Sequence, residues 1–338
     1  MLQEALMNDF SRMTEESLWD KLAESSGSER PEILQQLGWR AIQREKWGEA
    51  ISILEEAKAA YEQIGCSSDV RMCLHWIARC AGNMSNSEMA IAEHINVLNM
   101  LQEQGPLDEF GAKTVDAIGC EYRDAGQQKK AGEYFGQAAR LHDSNQSKYF
   151  AENSARKWIE TIRRVGNWVD MLEATDIVLR NSTNLESHIH ARVGQILAAC
   201  HIPDSGYDID DLLAKCSRLD TAHADEEMSF EISLAKIAVL QLRGKLAEAE
   251  SLALSARDHA RACDDTNYQA QFIIAAAQTM LDRKPEAAVE LLLVAQDLGE
   301  VLSDRDLLDH VGTSLMHIRE ARRSEPQPTL WDAATSNT

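Results

Sequence analysis

The chain has 338 residues and a formal net charge of −21, with 55 acidic against 34 basic side chains. Nucleic acids and anionic membranes repel such a surface, so we expect neither as a partner. No apolar stretch approaches the roughly 20 residues of a membrane-spanning helix, and the N-terminal sequence is acidic, which predicts a cytoplasmic protein. The seven cysteines include no C-x-x-C pair, so we expect reduced, buried thiols and no metal.

The first predicted element is an N-terminal capping helix within residues 1–26. Apolar residues recur at helical spacing from Leu2 to Leu22, and the sequence SSGS at 25 to 28 provides a turn after them. We expect this helix to cover the exposed apolar edge of the elements that follow it.

Residues 34–65 predict two helices folded back on each other, with a polar break at 44 to 46 between two helically spaced apolar runs. Gly38, Ala50 and Ala57 mark the helix crossing, because helix axes approach to about 8–10 Å only where side chains are short. Small or apolar residues return at the same spacing along the chain: Ala78, Ala90 and Val97; Gly119, Ala131 and Ala138; Ile159, Met171 and Val178; Cys200, Leu212 and Leu219; Ile237, Ala249 and Ala256; Ala275, Ala287 and Val294.

This pattern of small anchors in paired helices resembles the tetratricopeptide repeat (TPR) family. The family's usual period is about 34 residues, whereas Ala50, Ala90, Ala131 and Met171 stand 40, 41 and 40 residues apart. The chain is therefore similar to long-period arrays such as those of kinesin light chains and peptide-sensing bacterial regulators. The resemblance implies an all-α fold, a right-handed TPR-type superhelical solenoid of about seven helix pairs over residues 27–303.

The C-terminal part of the chain contains an irregular fifth pair, a predicted capping helix and a tail. The connection at 201 to 210 is the longest, and its aspartates do not match the twelve-residue calcium loop, so we expect no metal there. Residues 304–324 are predicted to form a C-terminal capping helix. Residues 325–338 contain two prolines and few apolar residues, which predicts a disordered tail.

Motifs that carry catalysis or bind cofactors are missing from the sequence. It has no phosphate-binding glycine loop, no H-E-x-x-H and no G-x-S-x-G, and its ten histidines are scattered. We therefore predict that the protein is not an enzyme, with no catalytic residues, no metal site and no cofactor.

The resemblance to TPR proteins implies that side chains three before, one after and four after the small anchor of each first helix line a concave groove. The candidate partner-binding residues are Trp39, His75, Arg79, Arg123, Arg156, Arg163, Leu234 and Phe272. Arginine binds carboxylate or phosphate bidentately, so four arginines in an acidic chain favour a partner with an acidic segment. The alternative is pairing within the chain, with Asp116, Glu121 or Glu160. For Leu234 and Phe272 the alternatives are a hydrophobic pocket or tighter packing between helices.

The most direct interpretation is a scaffold or adaptor that binds another protein or a peptide in its concave groove. One alternative is a peptide-responsive regulator similar to Rap-type quorum-sensing proteins. Those combine a TPR array with an N-terminal effector module, and the predicted helix within residues 1–26 is short for such a module. A second alternative is an acidic decoy that inhibits a basic protein surface. The sequence leaves the oligomeric state open.

Overall fold

A computed structural model describes residues 9–25, 27, 29–223, 226–302 and 304–324, and all regular structure in these ranges is helical. A 3₁₀ turn over Asp9–Arg12 precedes α1 (Glu15–Glu24), α2 (Glu29–Gln43), α3 (Trp47–Gln63), α4 (Ser67–Asn83), α5 (Ser87–Gln102), α6 (Glu109–Asp124), α7 (Gln128–Ser144), α8 (Lys148–Val165), α9 (Trp168–Asn181), α10 (Leu185–His201), α11 (Ile209–His223), α12 (Glu226–Leu242), α13 (Leu246–Ala262), α14 (Thr266–Met280), α15 (Pro285–Leu302) and α16 (Arg305–Ser324). The predicted all-α class is confirmed, and every helix of the seven predicted pairs is present. No helix in the described ranges has the length and apolar character needed to cross a membrane.

The chain forms two compact units, Met1–Val165 and Gly166–Thr338. The division falls at the turn of the fourth predicted pair, whereas the irregular connection at 201 to 210 lies inside the second unit. In the first unit each helix from α2 to α8 packs against the next, and in the second unit each helix from α9 to α16 packs against the next in the same way.

The turns explain why the helices have similar lengths. In the first unit a residue with left-handed backbone recurs about every 20 positions, as at Glu45 (φ 58°), Gly65 (φ 74°) and Ser85 (φ 58°). Only glycine adopts this conformation without strain, and other residues pay about 1–2 kcal/mol for it. Each such residue stops one helix and reverses the chain into the next, which produces the antiparallel hairpins.

The N-terminal region differs from the predicted single helix. Within its described part, the 3₁₀ turn ends at Arg12 and α1 begins at Glu15, because the Thr14 hydroxyl accepts a hydrogen bond from the Ser17 N–H (3.2 Å) and caps a new helix. Leu18 and Leu22 are buried in the same apolar cluster as Ile33 of α2. The remaining residues of the predicted element, 1–8 and 26, lie outside the described residues.

The fifth predicted pair is formed by α10 and α11, which share an apolar core with α12. The aspartates before and in α11 serve helix capping and ion pairing. The Asp208 carboxylate accepts hydrogen bonds from the N–H groups of Asp210 (3.0 Å) and Asp211 (3.1 Å), and Asp210 pairs with Arg243 at 2.7 Å.

At the C-terminal end, α16 packs against α15, and Val311 and Ile318 of α16 lie in one apolar cluster with Leu292 of α15. The predicted tail, residues 325–338, lies outside the described residues.

Candidate partner-binding site

The first helices of successive hairpins in the first unit, α2, α4, α6 and α8, lie side by side. Their side chains touch directly: the Trp39 and Trp76 rings are 4.7 Å apart, and those of His75 and Phe110 are 5.5 Å apart. Between α6 and α8, the Ser154 hydroxyl donates to the Asp116 carboxylate at 2.7 Å. We call the face formed by these four helices the first-helix row. It contains the six candidate residues of the first unit.

One end of the row carries an aromatic and cationic surface, the tryptophan–arginine patch, formed by Trp39, Trp76 and Arg79. Trp76 is buried and meets the half-buried Trp39 ring edge-on, with 63° between the ring planes. The Arg79 guanidinium lies over the Trp76 ring, 4.9 Å from its centroid, and the Arg79 residue is exposed. Within the described residues Arg79 makes no ion pair with a carboxylate, so its guanidinium donors are not taken up by an internal carboxylate.

His75 lies beneath this patch rather than on the open face. It is 8% exposed, and its ring packs against those of Trp76, His94 and Phe110 at 5.3–5.5 Å. Burial, together with nearby His94 and Arg79, lowers the pKa of His75 to about 3, and burial and Arg79 lower the pKa of His94 to about 4. Both rings are therefore neutral at pH 7 and act in packing, so in this conformation His75 offers little surface to a partner.

In the middle of the row, charged side chains pair within the chain, which was the alternative to partner binding predicted for these positions. Asp116 pairs with Lys157, whose ammonium lies 2.6 Å from the carboxylate and 3.5 Å from the Cys120 sulfur. Although burial lowers the pKa of Lys157, the charges of Asp116 and Cys120 and its hydrogen bonds to them raise it overall. The Asp116 partner is thus a lysine rather than a predicted arginine. Lys157 stands two residues before the Ile159 anchor, outside the three positions that TPR resemblance assigns to the groove.

The other predicted arginines of the row are less open than Arg79. Arg123 is half-buried, and its Nε donates to the Asp124 carboxylate of the next residue at 3.1 Å. Arg156 and Arg163 are also half-buried, and each already has an interaction partner in the chain. The structure therefore places all four arginines in the first unit but leaves only Arg79 exposed among them.

Glu121 does not pair with an arginine in the described contacts but packs against the backbone of Gly82, where a Cβ atom would clash with its carboxylate. Burial, followed by the charge of Asp124, raises the pKa of the Glu121 carboxyl. Gly82 thus provides the space in which Glu121 lies between α4 and α6.

In the second unit, Phe272 is fully buried and Leu234 is half-buried against the same cluster. The Phe272 ring packs near those of Phe230 (5.8 Å) and Tyr268 (6.3 Å), and the Tyr268 hydroxyl donates to the buried Glu231 carboxylate at 2.7 Å. The alternatives for Leu234 and Phe272 were a hydrophobic pocket or tighter packing between helices, and this arrangement is tight packing. A ligand cannot reach Phe272 here without separating the helices.

Repeated helical hairpins with small residues at their crossings define this chain as a TPR-like helical-repeat protein. No family profile matches the sequence, and no curated protein matches it. Among solved structures it is similar to aspartyl phosphate phosphatase F from Bacillus subtilis, with a TM-score of 0.50 and 10% identity over 81% of this chain and 71% of that chain. It is also similar to the apo form of RapI, with a TM-score of 0.46 and 13% identity over 80% and 90%. The TPR2AB domain of yeast Sti1 matches with a TM-score of 0.35 and 14% identity over 87% and 100%. At 10% identity, the likeness to the Bacillus subtilis protein is one of fold.

Proposed function

We propose that the chain is a cytoplasmic adaptor that binds a protein or peptide on the first-helix row, and that the bound segment carries a carboxylate. The observation that carries this proposal is the exposed Arg79 guanidinium, held over Trp76 without a carboxylate partner among the described residues. The net charge of −21 supports a partner other than nucleic acid.

The chemistry of the tryptophan–arginine patch favours a short anchored segment. A guanidinium stacked on an indole keeps its N–H donors in a fixed plane, which suits bidentate binding of a carboxylate. The half-buried Trp39 ring beside it offers apolar surface, and tryptophan and arginine are enriched among the residues that dominate binding energy. The patch thus matches a segment with an acidic residue next to an apolar one.

The test selects peptides from a random displayed library on the full-length protein and measures their affinity for variants. We expect R79E to weaken binding at least about tenfold, equivalent to 1.4 kcal/mol, because it places a negative charge opposite the ligand carboxylate. W39A is expected to weaken the same peptides by removing the apolar contact.

Arg140 provides the matched control, because its guanidinium also lies over a tryptophan, 4.6 Å from the Trp158 ring, but it belongs to the second helix α7. R140E is expected to leave binding unchanged. Equal losses in R79E and R140E, or unchanged binding in R79E, would contradict the proposed site.

The same experiment separates the alternative functions. An acidic decoy binds basic proteins through its overall charge, so R79E would strengthen its binding rather than weaken it. A peptide-responsive regulator would bind at the patch and also change the hydrogen-exchange protection of helices that do not touch the peptide.

A further inference from the structure

A second feature of the molecule lies in the second unit, where side chains of three different chemical types converge at one end of the α12–α13 hairpin. Ligand atoms of Glu226, His259 and Cys263 all lie within 4.8 Å of one another, and no other group of three such residues meets this limit in the described ranges. We propose that these three residues bind a divalent transition-metal ion of the zinc class.

The backbone brings the three side chains together. His259 and Cys263 are four residues apart at the end of α13, so they share one helix face, and the Cys263 N–H donates to the His259 carbonyl at 3.1 Å. Glu226 opens α12, which packs against α13 as the other arm of the hairpin. One turn further along α12, the Phe230 ring meets the His259 ring edge-on at 5.2 Å and restricts its orientation.

The distances suit an ion that these side chains close around. Zinc binds nitrogen and oxygen at about 2.0–2.2 Å and thiolate at about 2.3 Å in tetrahedral geometry, which sets ligand atoms roughly 3.3–3.6 Å apart. Ligand atoms within 4.8 Å of one another already lie near that spacing, and we expect rotation of the exposed Glu226 and His259 side chains to close the remainder. Glu226 and His259 are exposed and Cys263 is half-buried, so an ion can enter from solvent and keep a water as its fourth ligand.

The electrostatic setting also favours a cation. The Cys263 thiol lies in the field of three nearby carboxylates, those of Glu226, Asp265 and Asp264. The same negative field attracts a divalent ion, which displaces the thiol proton and is balanced by the charges of Glu226 and the Cys263 thiolate.

The ligand set selects the class of metal. Calcium and magnesium prefer sites made only of oxygen, whereas imidazole and thiolate favour zinc and its neighbours in the transition series. The sequence signal is H-x-x-x-C at a helix end. This motif alone is unspecific, because it does not indicate that Glu226 of α12 lies beside His259 and Cys263.

The experiment uses the purified full-length chain after treatment with a chelator, titrated with Zn²⁺ and with Co²⁺ as a spectroscopic probe. We expect one ion per chain and a thiolate-to-cobalt charge-transfer band in the near ultraviolet. Because the bound thiol must lose its proton, zinc binding is expected to release protons and to strengthen as the pH rises.

C263S is expected to abolish the cobalt band and, like H259Q, to weaken zinc binding at least about tenfold. Both positions are outside the buried core, so circular dichroism in the presence of chelator should match the parent protein. C66S is the matched control, since the Cys66 thiol lies 2.6 Å from the Asp69 carboxylate in the first unit but belongs to no three-ligand group among the described residues. Zinc binding by C263S equal to that of the parent, or comparable binding of Mg²⁺, would overturn the proposal.

Discussion

Replacing Gly119 with alanine tests the close helix crossing on which the hairpin repeat depends. A Cβ atom at this position would lie 2.7 Å from two ring carbons of Phe135, a distance that real Cβ atoms essentially never show. Phe135 is fully buried, and the cations of Lys157 and Arg123 lie 5.5 and 5.9 Å from its ring centroid. The ring therefore has little room to move, and α6 and α7 must separate to admit the methyl group.

Two opposing effects determine how much G119A changes the free energy of unfolding. Overpacking a core costs about 1–3 kcal/mol, whereas alanine in place of glycine inside a helix gains roughly 0.5–1 kcal/mol. We expect G119A to lower the free energy of unfolding by about 1–2 kcal/mol, which lowers the Tm of a unit of this size by about 2–8 °C. In an F135L background the methyl group has space, so the two substitutions are expected to be non-additive by roughly 0.5–3 kcal/mol.

The assay is thermal and urea unfolding followed by circular dichroism. Gly48 is the matched control, because it is an exposed helical glycine of the same unit with nothing within 4 Å of an added Cβ atom. G48A is expected to maintain or raise stability. If G119A raised the unfolding midpoint as much as G48A does, or if F135L left its cost unchanged, the reasoning about this crossing would be refuted.

Three further predictions concern the first unit. A131L is expected to destabilise it by about 1–3 kcal/mol, because Ala131 is fully buried at a helix crossing, and E133L on the exposed surface is expected to be nearly neutral in the same urea titration. D116N leaves the Lys157 ammonium without its carboxylate and is expected to cost roughly 1–3 kcal/mol, whereas E49Q in the exposed Lys46–Glu49 pair is expected to cost less than about 1 kcal/mol. Burial lowers the pKa of His75 to about 3 and that of His94 to about 4 in the folded protein, whereas the pKa of an unfolded histidine is about 6.5. The unfolded state therefore takes up more protons as pH falls from about 6.5 to 4 and stability decreases, and H94F is expected to reduce that slope by about one proton, or 1.4 kcal/mol per pH unit, in unfolding titrations at several pH values.

The helical hairpins could be predicted because their signals are local. The repeated spacing of small residues that located α3 is explained by Ala50 and Ala57, both fully buried where α3 crosses its neighbours. The break before α1 was missed because Thr14 caps a new helix inside a stretch with continuous apolar periodicity. Apolar periodicity does not indicate where a side-chain hydroxyl takes the place of a backbone carbonyl as hydrogen-bond acceptor.

The groove residues were harder to predict because a helical position specifies a direction but not what fills it. His75 and Phe272 stand at positions that resemblance assigns to the open face, yet both are large rings that fill the space beside a neighbouring helix. Lys157 was missed for the converse reason: its long side chain reaches Asp116 from a position two residues before the anchor. Such contacts depend on the distance between adjacent first helices, which no local pattern encodes.

The position of Arg79 connects the overall charge of the chain to its proposed function. In a chain of net charge −21, an arginine at or near the surface usually finds a carboxylate nearby, as the half-buried Arg123 does at Asp124. Arg79 is instead held by the Trp76 ring, whose attraction requires no negative charge, so its guanidinium remains available to an external anion. The surrounding acidic surface repels acidic ligands at a distance, and added salt screens that repulsion as well as the attraction at the patch. Association of an acidic segment is therefore expected to be slow at low salt, while its residence time depends on direct contact with Arg79 and Trp39.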